Sequence, residues 1–214
     1  MIEETAAEVA ARGVRRVVGL VLAPHYSAFS VGQYQDRLRT ALEPSGCDVR
    51  AIDSWASNAA YVGFLGTEVK RSLATLPEGS TILFTAHSLP ERILAAGDPY
   101  PTELRTTATW VAAAAGLAPG SWSVAYQSAG RTPEPWLGPD ILAAIDALAE
   151  QGVPGVLVCP CGFVADHLEV LYDLDIEAAQ HAAARGLAFA RTASMNANAT
   201  VIDALAERVV SAAS

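Results

Sequence analysis

The stretch STILFTAHSLPER, residues 80–92, decides how the rest of the chain is read. Residues 80–86 are an apolar run of strand length, with no alternation of polar and apolar positions. Such a run fits a strand covered on both faces of a sheet. It ends abruptly in His87, Ser88, Leu89 and Pro90, a polar, proline-bearing segment at the strand's carboxyl end. Five further runs read as strands: RRVVGLVLAP (15–24), CDVRAID (47–53), SWSVAY (121–126), GVLVCP (155–160) and GLAFAR (186–191). Helical patterns lie between them, over 2–12, 31–43, 58–74, 102–115, 139–151, 166–184 and 197–212. Ser30 and Gln33 have the spacing of a capping box, and Gly13, Gly116, Gly152 and Gly186 stand just past helix ends. Strands alternating with helices predict a parallel sheet covered on both faces, a Rossmann-like three-layer α/β/α fold.

The composition narrows the partners. Of the 214 residues 51% are hydrophobic and 17% charged, enough apolar material for a sizeable core. The net charge of −9 disfavours nucleic acid and anionic membrane surfaces and favours cations. No apolar run approaches the about 20 residues of a membrane span. Residues 1–13 read as an acidic amphipathic helix rather than a signal peptide, so a cytoplasmic location is expected. Cys47, Cys159 and Cys161 are expected to be free thiols. Cys159 and Cys161 flank one residue, not the two of thioredoxin or zinc motifs, and read as small apolar residues at a strand end.

Ligands of such sheets bind at the carboxyl ends of the strands. Here those ends are PHYSAFSVGQY (24–34), AHSLPERILAAGDPYP (86–101), YQSAGRTPEPWLGPD (126–140) and PCGFVADHLE (160–169), long segments with His, Tyr, Trp and Ser. Neither G-x-G-x-x-G nor a P-loop occurs, so no nucleotide is expected. A nucleophile elbow would need Gly where Tyr126 stands. His25, His87 and His167 all fall at strand ends, whereas His181, late in a helix, reads as solvated.

The helix after Cys161 carries Glu169, Asp173, Asp175 and Glu177 among Leu168, Val170, Leu171, Tyr172 and Leu174. Asp166 and Glu169 have capping-box spacing, which leaves the later acids unexplained. Glu169, Asp173 and Glu177 recur at four-residue steps, each about 400° on an α-helix, so they form one drifting stripe. The macrodipole favours acids only in the first turn. If the apolar neighbours are buried, the stripe is the one polar track on this helix. A carboxylate track ending near an imidazole is a route for a hard divalent cation such as Fe²⁺. A solvated outer face is the competing reading.

TAHSLPERI with GDPYP, YQSAGRTPEPWLGPD and GFVADHLEVLYDLD, preceded by LAPHYSAFSVGQY, resemble the ferrochelatase family across essentially the whole chain, and within it the soluble bacterial branch acting on coproporphyrin III. The resemblance implies insertion of Fe²⁺, as substrate, into a porphyrin (coproporphyrin III or protoporphyrin IX) in heme biosynthesis. His87 and Glu169 correspond to the facing catalytic and metal-site pair. Asp173 and Glu177 correspond to the metal path, and Tyr34 and Trp136 to porphyrin contacts, with Gln127 and Ser128 in the cleft wall. A [2Fe–2S] cluster is not expected, because residues 190–214 hold no Cys.

The resemblance also implies the second half of a two-domain fold. Residues 1–23 would be a remnant of the first half, 24–190 the second half with the metal site, and 191–214 a C-terminal helix packing on the first half. On that reading strand 15–24 is an interior strand short of partners. The helix stripe Val201, Leu205 and Val209 needs an outside cover, and the chain is expected to self-associate. Competing readings are a non-catalytic tetrapyrrole- or metal-binding module and a chelatase for another divalent metal.

Overall fold

A computed structural model describes residues 1–214. All six strands form: β1 Arg16–Leu20, β2 Asp48–Ile52, β3 Thr81–His87, β4 Trp122–Gln127, β5 Gly155–Cys159 and β6 Ala188–Arg191. Every pairing is parallel. The helices are α1 Ile2–Ala11, α2 Val31–Leu42, α3 Ala59–Leu73, α4 Arg92–Ala95, α5 Tyr100–Ala115, α6 Ile141–Glu150, α7 Leu168–Val170, α8 Ala179–Ala184 and α9 Ala199–Ala213. A left-handed Gly116 ends α5 at φ 69°, a conformation that costs glycine little.

The strands make two sheets rather than one. β4-β3-β5-β6 form the larger, and β1 pairs with β2 alone. β3 and β5 are interior strands, buried at nearly every position, as their unbroken apolar runs require. Successive residues of β3 serve opposite cores. Phe84 joins Trp55, Tyr61, Leu104 and Leu157 in one, and Leu83 joins Ile145, Val158 and Leu174 in the other. Each fully buried side chain of this size contributes about 1.5–3 kcal/mol. With β4 and β5 on either side, β3 delivers His87 to the middle of the larger sheet's carboxyl edge, beside Gln127.

The division between the sheets falls between β2 and β3: β2 pairs with β1, and the larger sheet begins at Thr81. β1, whose run reads as an interior strand short of partners, has β2 as its one neighbour, and Val17 to Leu20 are half-buried. Two expectations need correction. The apolar stripe of α9 needs no outside cover, since α9 packs on α3, β1 and β2, leaving Val201 at 0% and Leu205 at 3% exposure. Ser30 is the N-cap of α2 but makes no side-chain cap, and the Gly32 N–H donates to Ser27 O at 2.9 Å. No helix is long and apolar enough to cross a membrane.

Candidate active site

The acidic segment is not a plain α-helix. After α7 the chain runs through π-helical turns from Leu171 to Ala178, then continues as α8. Hydrogen bonding from i to i+5 widens the helix, and such turns frequently sit at functional sites. Val170, Leu174, Ala178 and Ala182 are all fully buried, one face repeating every fourth residue. An α-helix would drift off that face; the wider turn holds it. The same step keeps Glu169, Asp173 and Glu177 in register, so the drift expected of an α-helix is largely removed. The apolar neighbours, however, do not bury the segment around the acids. Leu168, Leu171, Tyr172 and Ile176 are exposed, because only the 170/174/178 face meets the sheet.

Asp175 lies off the stripe, and both its oxygens accept from Arg191, at 2.7 and 3.0 Å. Asp173 is half-buried and accepts from the Ser128 hydroxyl, which a positive φ of 59° at Ser128 aims across the site. Glu177 is exposed. Asp166 does not cap the helix either; His167 is the N-cap and makes no side-chain bond. Asp166 instead accepts from Asn196 Nδ2, Ser194 Oγ and Arg191, at 2.9, 2.8 and 3.0 Å. The Asn196 bond, then Ser194 and Arg191, hold its carboxyl below the usual range. A depressed folded-state pKa adds stability that is present above the ordinary carboxylate pKa of about 3.9 and is lost as pH falls through the lower, folded-state value. Asp166→Asn should therefore lower Tm at pH 7, and the gap should close as the folded carboxyl becomes protonated in acid. Melting curves across pH 2–7 check this; a constant gap would assign the loss to hydrogen-bond geometry alone.

His87 is held with unusual completeness. Its Nδ1 lies 2.5 Å from Ser88 O, an oxygen that can only accept, so Nδ1 carries the hydrogen and, in the neutral ring, Nε2 presents a lone pair. Tyr100 Oη donates to His87 O at 2.9 Å, and Ser88 N donates to Gln127 O at 2.7 Å, gripping both sides of the 87–88 peptide. Phe163 leans on the ring at 6.4 Å between centroids. Gly162 lets the β5 loop touch β3 directly: a Cβ there would fall 2.7 Å from Ala86 Cα.

Nε2 of His87 stands 3.9 Å from Glu169 Oε1. That is too long for a direct hydrogen bond. A bare lone pair facing a carboxylate is repulsive until a proton or a cation lies between them. No three His, Cys, Asp or Glu side chains converge anywhere in the chain. The pair is thus an open two-donor site rather than a closed cage.

Tyr34 and His87 line one cavity of about 330 Å³, together with His25 and Tyr100. Trp136 is not among its lining residues. Its indole donates to Thr132 Oγ1 at 3.0 Å, and its backbone bridges to Pro90, bracing the loop that follows His87. His181 is not merely solvated, since Nε2 meets Asp146 Oδ1 at 2.6 Å. All three thiols are free, and burial pushes Cys159 up to about 12, which makes it inert. Tyr100 escaped sequence reasoning as a site residue, although GDPYP was quoted for the family; its proximity to His87 depends on how α5 begins.

A family model described as Ferrochelatase matches residues 1–213. The chain is 42% identical to the coproporphyrin III ferrochelatase of Geobacillus kaustophilus, covering 98% of this chain and 67% of that one. It is 40% identical to the ferrochelatase of Herpetosiphon aurantiacus, covering 96% and 68%. It therefore spans about two thirds of the length of these curated relatives. In structure it is similar to SirB from Bacillus subtilis with Fe³⁺, at a TM-score of 0.69 and 12% identity, over 100% of this chain and 78% of that one. That likeness concerns the fold alone. With two thirds of each relative matched at such identity, and three of the four distinctive segments at the larger sheet's carboxyl edge, the chain belongs to the ferrochelatase family.

Proposed function

We propose that this chain inserts ferrous iron into a porphyrin, with coproporphyrin III as the porphyrin, in heme biosynthesis. The observation that carries the reading is His87 Nε2 facing Glu169 Oε1 across 3.9 Å, with His87 in the wall of the cavity that Tyr34 shares. A free-base porphyrin must give up two pyrrole N–H protons, and Fe²⁺ must shed water, before the metal can enter the ring. His87 Nε2 accepts the pyrrole protons one at a time, and its side chain, 37% exposed, passes the first to solvent before taking the second. Glu169 then faces an imidazolium instead of a lone pair, which turns a repulsive pair into an attractive one.

Asp173 and Glu177 extend the carboxylate line outward from Glu169 and pass iron inward by exchange of oxygen ligands. Tyr34 contacts the porphyrin from the cavity wall, and Trp136 does so from the braced loop. A wall that favours a bent ring, with its lone pairs turned to one face, would be complementary to the transition state. Fe²⁺ is a substrate; neither nucleotide nor [2Fe–2S] cluster takes part. The location is cytoplasmic. Self-association through the open edge of β1 is expected to raise specific activity with concentration, which light scattering paired with insertion assays checks.

The porphyrin test is a comparison of kcat/KM for coproporphyrin III and protoporphyrin IX. A clear preference for coproporphyrin is expected. A preference for protoporphyrin overturns the choice of substrate. Porphyrin binding with no insertion above the protein-free rate would favour a tetrapyrrole-binding module instead.

A further inference from the structure

His25 is 2% exposed. Its Nε2 lies 3.0 Å from Thr107 Oγ1 on α5, whereas its enclosed Nδ1 has no partner. Burial holds the ring neutral, pushing its pKa down to about 3. An unpaired buried nitrogen costs stability, and phenylalanine would fill the same space without that cost. Packing alone does not account for a histidine here.

We propose that His25 is a positioning residue for His87, acting through Tyr100 on the 87–88 peptide. The proposal rests on the reading of His87 as the proton acceptor. The Thr107 bond sets the plane of the His25 ring. That ring meets Tyr100 edge to face, with centroids 6.1 Å apart and planes at 90°. Tyr100 in turn donates to His87 O at 2.9 Å, and Gln127 O takes the Ser88 N–H of the same peptide at 2.7 Å. Held on both sides, the 87–88 peptide fixes where Ser88 begins, and the next peptide carries Ser88 O, which accepts from His87 Nδ1 at 2.5 Å. That contact keeps the hydrogen on Nδ1 and the lone pair on Nε2, toward Glu169. His25 therefore controls which nitrogen of His87 can act as the base, while its own Nδ1 remains enclosed.

The test uses the full chain and the variants His25→Ala, His25→Phe, Tyr100→Phe and the His25→Phe/Tyr100→Phe double. His25→Phe keeps an aromatic ring at this buried position, should the alanine variant fail to fold. The first readout is the ¹⁵N spectrum of His87 without substrate, which reports its tautomer independently of activity. The parent should show the Nδ1–H form, and each folded variant a mixture of tautomers. The second readout is insertion. kcat should fall about tenfold with the porphyrin KM nearly unchanged, less than the roughly hundredfold a 1 Å misplacement can cost. The double variant should be no worse than the poorer single one, because both act on one peptide. An unchanged His87 tautomer in folded His25→Phe overturns the inference, as does additive loss in the double variant. If the parent inserts no iron, the tautomer readout still decides the role of His25, and the chelatase reading alone fails.

Discussion

His87→Ala is expected to abolish iron insertion, with kcat falling by about a thousandfold, within the range a positioned general base supplies. The fold should survive. His87 ends β3, its side chain is 37% exposed, and its removal opens no cavity in either core. Tm should move by no more than exposed substitutions usually cause, about 0.5 kcal/mol of stability. The loss arises because the pyrrole protons then have no acceptor opposite Glu169. Steady-state insertion assays beside thermal melts check the prediction, and retention of most activity in a folded variant would remove His87 from the mechanism.

The three acids of the stripe should respond differently. Glu169→Ala removes the group facing the reacting centre and should lower kcat by about a hundredfold, as loss of one charge-stabilising group typically does. Asp173→Ala and Glu177→Ala lie further along the segment and should mainly raise the apparent KM for Fe²⁺, by about tenfold, the scale of an outer contact to a metal. Asp173 should matter more than Glu177, because it is half-buried and bonded by Ser128, while Glu177 is exposed. Iron-dependent kinetics of the three variants separate the cases. Equal losses in kcat would mean that the acids form one site rather than a path. Parent-like kinetics in both outer variants would mean a solvated face.

Much of the frame was legible in the residues. The runs at 80–86 and 155–160 have no polar alternation because β3 and β5 have a neighbour on each side and helices on both faces. Placement of His87 at a strand end follows from the break in that run. The π-helical stretch was not legible. A four-residue repeat of Val170, Leu174 and Ala178 suits one face of an α-helix almost as well, so nothing in the pattern announces the wider turn. Nor was the split into two sheets, since β1 carries the same kind of apolar run as the interior strands. The Tyr100 bond to His87 O joins residues on two different elements, and no local rule predicts it. Asp166 misled because its spacing to Glu169 fits a cap, while the better donors, Asn196, Ser194 and Arg191, lie far along the chain.

The central claim is that His87 and Glu169 act as one unit on a porphyrin and Fe²⁺. It is tested most directly by anaerobic single-turnover insertion into coproporphyrin III, followed by the loss of free-base absorbance. The parent, His87→Ala, Glu169→Ala and the His87→Ala/Glu169→Ala double are compared. The predicted result is insertion above the protein-free rate in the parent, and a double variant no slower than His87→Ala alone, since groups acting as a unit lose their effect together. A parent rate equal to the protein-free rate, or a double variant that inserts iron as fast as the parent, would contradict the account.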